Sequence, residues 1–193
     1  YTAKTAHVFL KDIEKFLDFK LENKLHFIIY NSQSKFRQSN IGLNNDLSSN
    51  IGGTAKINGD KIFLYFNGSH SDFNKQIYAG IAELIIQKIL FGSDIKQSVR
   101  NTSFTNMPEW FKDGLIDYLS TDWNTEDDGK LKNLILSGKA EKFHSLNHNE
   151  ARLYAFGIWR YIDEIFGRNM IPNLIYMMKV SKSIESGFIY VLG

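Results

Sequence analysis

The sequence predicts an α+β fold, and three observations in chain order predict it: one amphipathic helix, then short strand-like runs around an Asn-Gly turn, then helices only. Ala6, Phe9, Leu10, Ile13, Phe16 and Leu17 recur at helical spacing, with Lys4, Lys11, Asp12, Glu14 and Lys15 between them, which gives a helix from about Thr2 to Phe19. Leu25 to Tyr30 (LHFIIY) is aromatic and β-branched and reads as a strand, after which Ser32 caps a short helix through Phe36. Ser39 to Asn50, rich in Asn, Ser and Gly, reads as a loop. Gly53 to Ile57 and Lys61 to Phe66 flank Asn58-Gly59, the dipeptide that best tolerates the positive φ values of a type I′ turn, so the two runs form a hairpin.

Ser71 is the expected cap of a long helix through Phe91, stopped by Gly92. Its apolar residues Ile77, Ile81, Leu84, Ile85, Ile89 and Leu90 cover most of the circumference and leave one polar stripe through Gln76, Gly80, Glu83 and Gln87, as a central helix requires. Pro108 opens a second helix (PEWFKDGLIDYLS) that ends near Ser120. A third covers Leu131 to Leu136, a fourth runs from Glu150 to Phe166 with Asn149 as cap and Gly167 at its end, and Pro172 starts a fifth through about Lys179. No internal repeat is present.

A chain of 193 residues fits a single domain, and 15 Phe with 9 Tyr are far too many for a disordered one. The net charge of +2 is spread without a basic block, which leaves no footprint for nucleic acid. Cysteine is absent, which excludes disulfides, thiolate metal sites and cysteine catalysis. The longest apolar stretch, Ile81 to Leu90, is interrupted by Glu83, Gln87 and Lys88 and falls short of the roughly 20 residues that span a bilayer. Tyr1 at the start and the apolar run Gly187 to Gly193 at the end both read as cut, so the domain is expected to be a piece of a longer multidomain protein.

Several pieces resemble, in order and spacing, the gluzincin branch of zinc peptidases, the peptidase MA-like group. In that family a hairpin strand runs along the cleft, the next helix carries HExxH, and a later helix carries Trp-Phe-x-Glu-Gly-Leu with the third zinc ligand. Here the corresponding pieces are IFLYFNG, QIYAGIAELIIQKILFG and PEWFKDGLIDYLS. The likeness is to the peptidase-like domain that begins large TolB-like envelope proteins of Bacteroidota, in which a β-propeller commonly follows. Its most specific pieces are NIGGTAKINGDKIFLYFNG, WFKDGLIDYLS and the closing SKSIESGFIYVLG.

The resemblance implies a zincin-like (gluzincin or thermolysin-like) fold, placement in the periplasm or at the outer membrane, and a protein or peptide partner, the propeller included. It does not bring a zinc site with it. The chemistry needs two histidines one helical turn apart beside a general-base Glu. None of the candidate registers, Tyr78 with Ala82, Ala79 with Glu83, or Ala82 with Ile86, supplies two ligands. Asp113 stands where the family has its third-ligand Glu, one methylene shorter. No cofactor is expected, and the implied function is a catalytically inactive scaffold or peptide-interaction module. The alternative is an active peptidase with an atypical metal site built on Glu83 and Asp113. In active relatives substrate pairs along an edge strand, so Lys61 to Phe66, with Phe63 and Tyr65, is the expected docking edge of a cleft that also takes in Tyr78, Ala79, Ala82, Glu83, Trp110, Asp113 and Tyr154.

His144 and His148 are spaced i, i+4, but Gly138, Ser145, Asn147 and Asn149 mark the stretch as a loop, where that spacing no longer puts two rings on one face. Phe111, Tyr118, Trp159 and Tyr161 are expected in the core, with Trp110 and Tyr154 as the two cleft-lining exceptions. Asn67-Gly68-Ser69 and Asn101-Thr102-Ser103 match a glycosylation sequon, which carries little weight in a bacterial protein.

Overall fold

The computed structural model describes residues 1–39, 56–92 and 108–193 and divides the chain into two compact units, Tyr1–Lys88 and Ile89–Gly193. Most of the Ser39–Asn50 loop, the start of the first hairpin run and the second sequon lie outside the described residues. The described residues form an α+β protein of eight α-helices and one three-stranded sheet.

In the first unit, α1 (Thr2–Phe16) buries Ala6 and Ile13 and ends short of the expected Phe19, because Asp18 turns to φ +46°. Strand β1 (His26–Tyr30) follows, then α2 (Gln33–Arg37), where Ser32 accepts the Lys35 N–H at 3.2 Å as its sequence position implies. β2 (Lys56–Asn58) and β3 (Lys61–Tyr65) form the hairpin. Its turn is centred on Gly59 and Asp60, one residue later than expected, and Gly59 alone of the two has positive φ (+62°). That is the type II′ pattern, with glycine at the first central position.

The sheet order is β1-β3-β2. β3 runs parallel to β1, with His26 opposite Lys61 and Tyr30 opposite Tyr65, and antiparallel to β2, with Lys56 opposite Phe63. The expectation that Lys61 to Phe66 is an edge is therefore wrong: β3 is the central strand. Its burial suits that place, since Ile62 and Leu64 are fully buried on one face and Phe63 and Tyr65 nearly so on the other, the continuous apolar run of a strand covered on both faces. Tyr30, Phe36 and Tyr65 cluster beneath this sheet, with Phe36 edge-on to Tyr30 at 5.5 Å.

α3 (His70–Phe91) begins before the expected cap. Ser69, not Ser71, accepts the Asp72 N–H at 3.2 Å, and Asn67 in turn accepts the Ser69 N–H. Gly92 at φ +80° ends the helix. The polar stripe differs from the one expected, because Gln76 and Gly80 are buried while Asn74, Tyr78, Glu83 and Gln87 stay half-exposed. Gln76 is turned inward by the sheet: its Oε1 accepts the Tyr65 N–H at 3.3 Å. Lys88 reaches Asp60 at 2.6 Å and ties α3 to the hairpin turn.

The second unit is helical. α4 (Glu109–Ser120), α5 (Thr125–Leu136), a 3₁₀ segment (Ala140–Ser145), α6 (His148–Phe166), α7 (Met170–Ser181) and α8 (Ile184–Leu192) follow in order. α5 starts six residues before the expected Leu131, because Asn124 caps it by accepting the Glu126 and Asp127 N–H groups, and its acidic first turn suits a helix N-terminus. α6 starts two residues early through a capping box between Asn147 and Glu150, so Asn149 is inside the helix and not its cap. Lys182, at φ +54° and ψ 28°, ends α7 in the left-handed region, and Ser183 caps α8 by accepting the Ser186 N–H.

α4 and α6 pack at backbone distance. A Cβ at Gly114 would sit 2.4 Å from the Ala155 Cβ and 2.7 Å from the Phe156 nitrogen. Trp159, fully buried, donates its indole N–H to the Phe111 carbonyl at 3.1 Å across the same interface. Gly157 differs in kind, since its nearest neighbour at 2.6 Å is a methyl of Leu131, the far end of a side chain that rotates away. Urea denaturation should therefore show Gly114→Ala losing about 3 kcal/mol, the upper range of core overpacking, and Gly157→Ala losing about 1 kcal/mol or less. Equal losses at the two positions would contradict this description of the interface.

Candidate functional site

The sequence-expected cleft residues separate by burial. Ala79 and Ala82 are buried in α3, and Phe63 and Tyr65 are buried in the central strand, so none of the four presents a surface to a partner. Tyr78 is half-buried with its ring edge-on to Phe9 at 5.0 Å, and Glu83 accepts from Gln87 Nε2 at 3.1 Å. These two lie in the first unit; Trp110, Asp113 and Tyr154 lie in the second.

Asp113 is placed by α4 and faced by α6. Its Oδ2 lies 3.4 Å from His148 Nε2, and its Oδ1 lies 3.9 Å from Lys112 Nζ. One turn along, Asp117 receives both the Nε and an Nη of Arg152, a bidentate pair. Asp113 and Asp117 are four residues apart on α4, as His148 and Arg152 are on α6, so each helix aligns two charged groups along one face. Farther along, Tyr118 donates its hydroxyl to Asp163 at 2.7 Å. Burial, partly opposed by Lys112 and Arg152, pushes the Asp113 carboxyl above its ordinary range.

His148 is the residue that sequence reasoning assigned to a loop. It is the first residue of α6, and His144 belongs to the 3₁₀ segment, so the two do not share a helix. The Asn147-x-x-Glu150 spacing was the available signal. His70 is likewise the first residue of α3, where its ring packs between Tyr1 and Phe66. Among the described residues no group of three His, Asp or Glu side chains could hold a metal ion. Three protein ligands are the working minimum for a catalytic zinc.

Trp110 and Phe111 of α4, Ile158 of α6, and Ile184 and Phe188 of α8 line a groove of about 440 Å³. Lys182, Ser183 and Glu185, at the turn between α7 and α8, complete its wall. That volume is within the range of about 300–1,000 Å³ of ligand-binding concavities, and the lining has their character, apolar with a few polar groups. Trp110 lines this groove, while Asp113 and the half-buried Tyr154, expected beside it in one cleft, are not among the groove's lining residues. No helix of the described residues is long and apolar enough to cross a membrane.

No family model, no curated protein and no solved structure matches the chain.

The environment of Asp113 sets a pH dependence. A carboxyl whose folded-state pKa is raised contributes stability that is complete below its unfolded value, about 3.9, and is lost as pH rises through the folded value. Asp113→Asn removes that loss. Thermal melting from pH 4 to pH 8 should show the variant at least as stable as the parent at pH 8, with the difference shrinking toward pH 4. A variant that melts lower at pH 8 and regains parity only in acid would show that the carboxylate is net stabilised.

Proposed function

We propose that this chain is a non-catalytic relative of the HExxH zinc peptidases, zincin-like in fold, that serves as a scaffold or peptide-interaction module within a bacterial cell-envelope protein. The observation that carries this reading is chemical. Beyond its first residue, α3 contains no histidine, so the helix that would place two imidazoles on one ion has none to place. The order helix, strand, hairpin, long helix and Trp-Phe-Lys-Asp-Gly-Leu helix supports descent from that architecture. The carboxylate in the third-ligand position, Asp113, lies 3.4 Å from His148 Nε2 and 3.9 Å from Lys112 Nζ, one turn from the arginine-paired Asp117.

An interaction role needs a surface, and the central position of β3 removes Lys61 to Phe66 as the strand on which a partner would pair. The groove beside Trp110 takes its place as the contact surface, because a half-exposed tryptophan over an apolar concavity is the kind of feature that dominates binding energy at protein interfaces. The envelope setting and a neighbouring propeller follow from the family resemblance.

Metal analysis of the purified chain and an assay against a peptide library test this reading together. The expected result is zinc well below one equivalent and no cleavage that a chelator suppresses. Stoichiometric zinc with chelator-sensitive cleavage would instead establish an active peptidase with an atypical site.

A further inference from the structure

We propose that the groove between α4, α6 and the α7–α8 turn receives one large apolar side chain of an extended peptide whose flanking residues carry one acidic and one basic group. This rests on the reading of the chain as an interaction module and names the partner chemistry of that surface.

The groove's wall explains the apolar side chain. Phe111 is buried at its base, while Trp110, Ile158, Ile184 and Phe188 are all half-exposed. A small organic ligand is normally held with 70–90% of its surface covered, which calls for an enclosed pocket. A concavity walled by half-exposed side chains is instead shaped to take a residue that projects from a larger partner, with the partner's body covering the rim.

The charges at the turn explain the flanks. Lys182 and Glu185 are both exposed on the groove, and among the described residues neither takes part in an ion pair or hydrogen bond through its side chain. Lysine only donates and ionised glutamate only accepts. A polyanionic partner would meet Glu185 and a polybasic one Lys182, so the rim selects a segment with one charge of each sign. Lys182 also has the left-handed backbone that glycine adopts without penalty.

Fluorescence anisotropy with the 193-residue chain tests the proposal, using labelled peptides with Asp-Phe-Lys or Lys-Phe-Asp at the centre of a Gly/Ser segment. At least one order should bind saturably, and replacing its Phe by Ala should weaken binding roughly tenfold or more. Lys182→Gly and Glu185→Gln should each weaken it several-fold. Ile158→Arg, at a half-exposed position in the groove, should abolish it while circular-dichroism melting shows the fold intact. Equal binding of the Phe and Ala peptides, or binding unchanged by Ile158→Arg, overturns the assignment. So does the absence of saturation by either order up to millimolar peptide. That last result would leave the non-catalytic reading standing, because metal content and cleavage decide it separately.

Discussion

The second unit depends on one close approach, that of α4 to α6 at Gly114 and Ala155. Without a side chain at 114 the two backbones come near enough for Trp159 to reach the Phe111 carbonyl, and the helix faces then fall into register. Every polar contact across the pair follows from that register. Arg152 meets Asp117, Tyr118 meets Asp163, and His148 meets Asp113. A larger residue at 114 would separate the helices and leave partly buried charges without partners, which costs more than the contacts themselves contribute.

This geometry bears on function through Asp113. In the zinc peptidases that the sequence resembles, the residue of the Trp-Phe-x-Glu-Gly-Leu pattern to which we propose Asp113 corresponds has one task, to complete an ion's coordination. Here α6 places the His148 imidazole 3.4 Å from the same carboxylate. The groove lies elsewhere on α4, at Trp110 and Phe111. One short helix thus serves the unit twice: Gly114, Asp117 and Tyr118 fix it to α6, and its first turn lines the groove.

Elements with strong local signals were legible in the sequence. α1 follows from its apolar period, α2 from Ser32, and α4 from Pro108 and the run that follows it. The misplacements share a physical cause. Periodicity reports that a strand such as IFLY is buried but not which strands lie beside it, and the parallel β1–β3 pairing is a long-range contact with no local signature. α8 escaped because Phe188, Ile189, Tyr190 and Val191 are all apolar, which erases the helical period although Ile189 and Tyr190 are exposed. In the site, Asp113 and Trp110 were singled out by the motif they resemble, and the structure places them apart, Asp113 facing α6 and Trp110 on the groove. His148 was lost with the two-residue error at the start of α6, and Ala79, Ala82, Phe63 and Tyr65 were chosen by motif register, which carries no information on burial.

The central claim, which we propose, is that Asp113 is paired with His148 in a site that takes up no metal ion. The most direct measurement follows the His148 ring resonances by NMR as zinc is added to the chain, with Asp113→Asn as the reference perturbation. The claim predicts that the substitution moves those resonances while zinc, up to one equivalent, leaves them in place. A new His148 signal that grows in proportion to added zinc and is absent from the Asp113→Asn variant would contradict it.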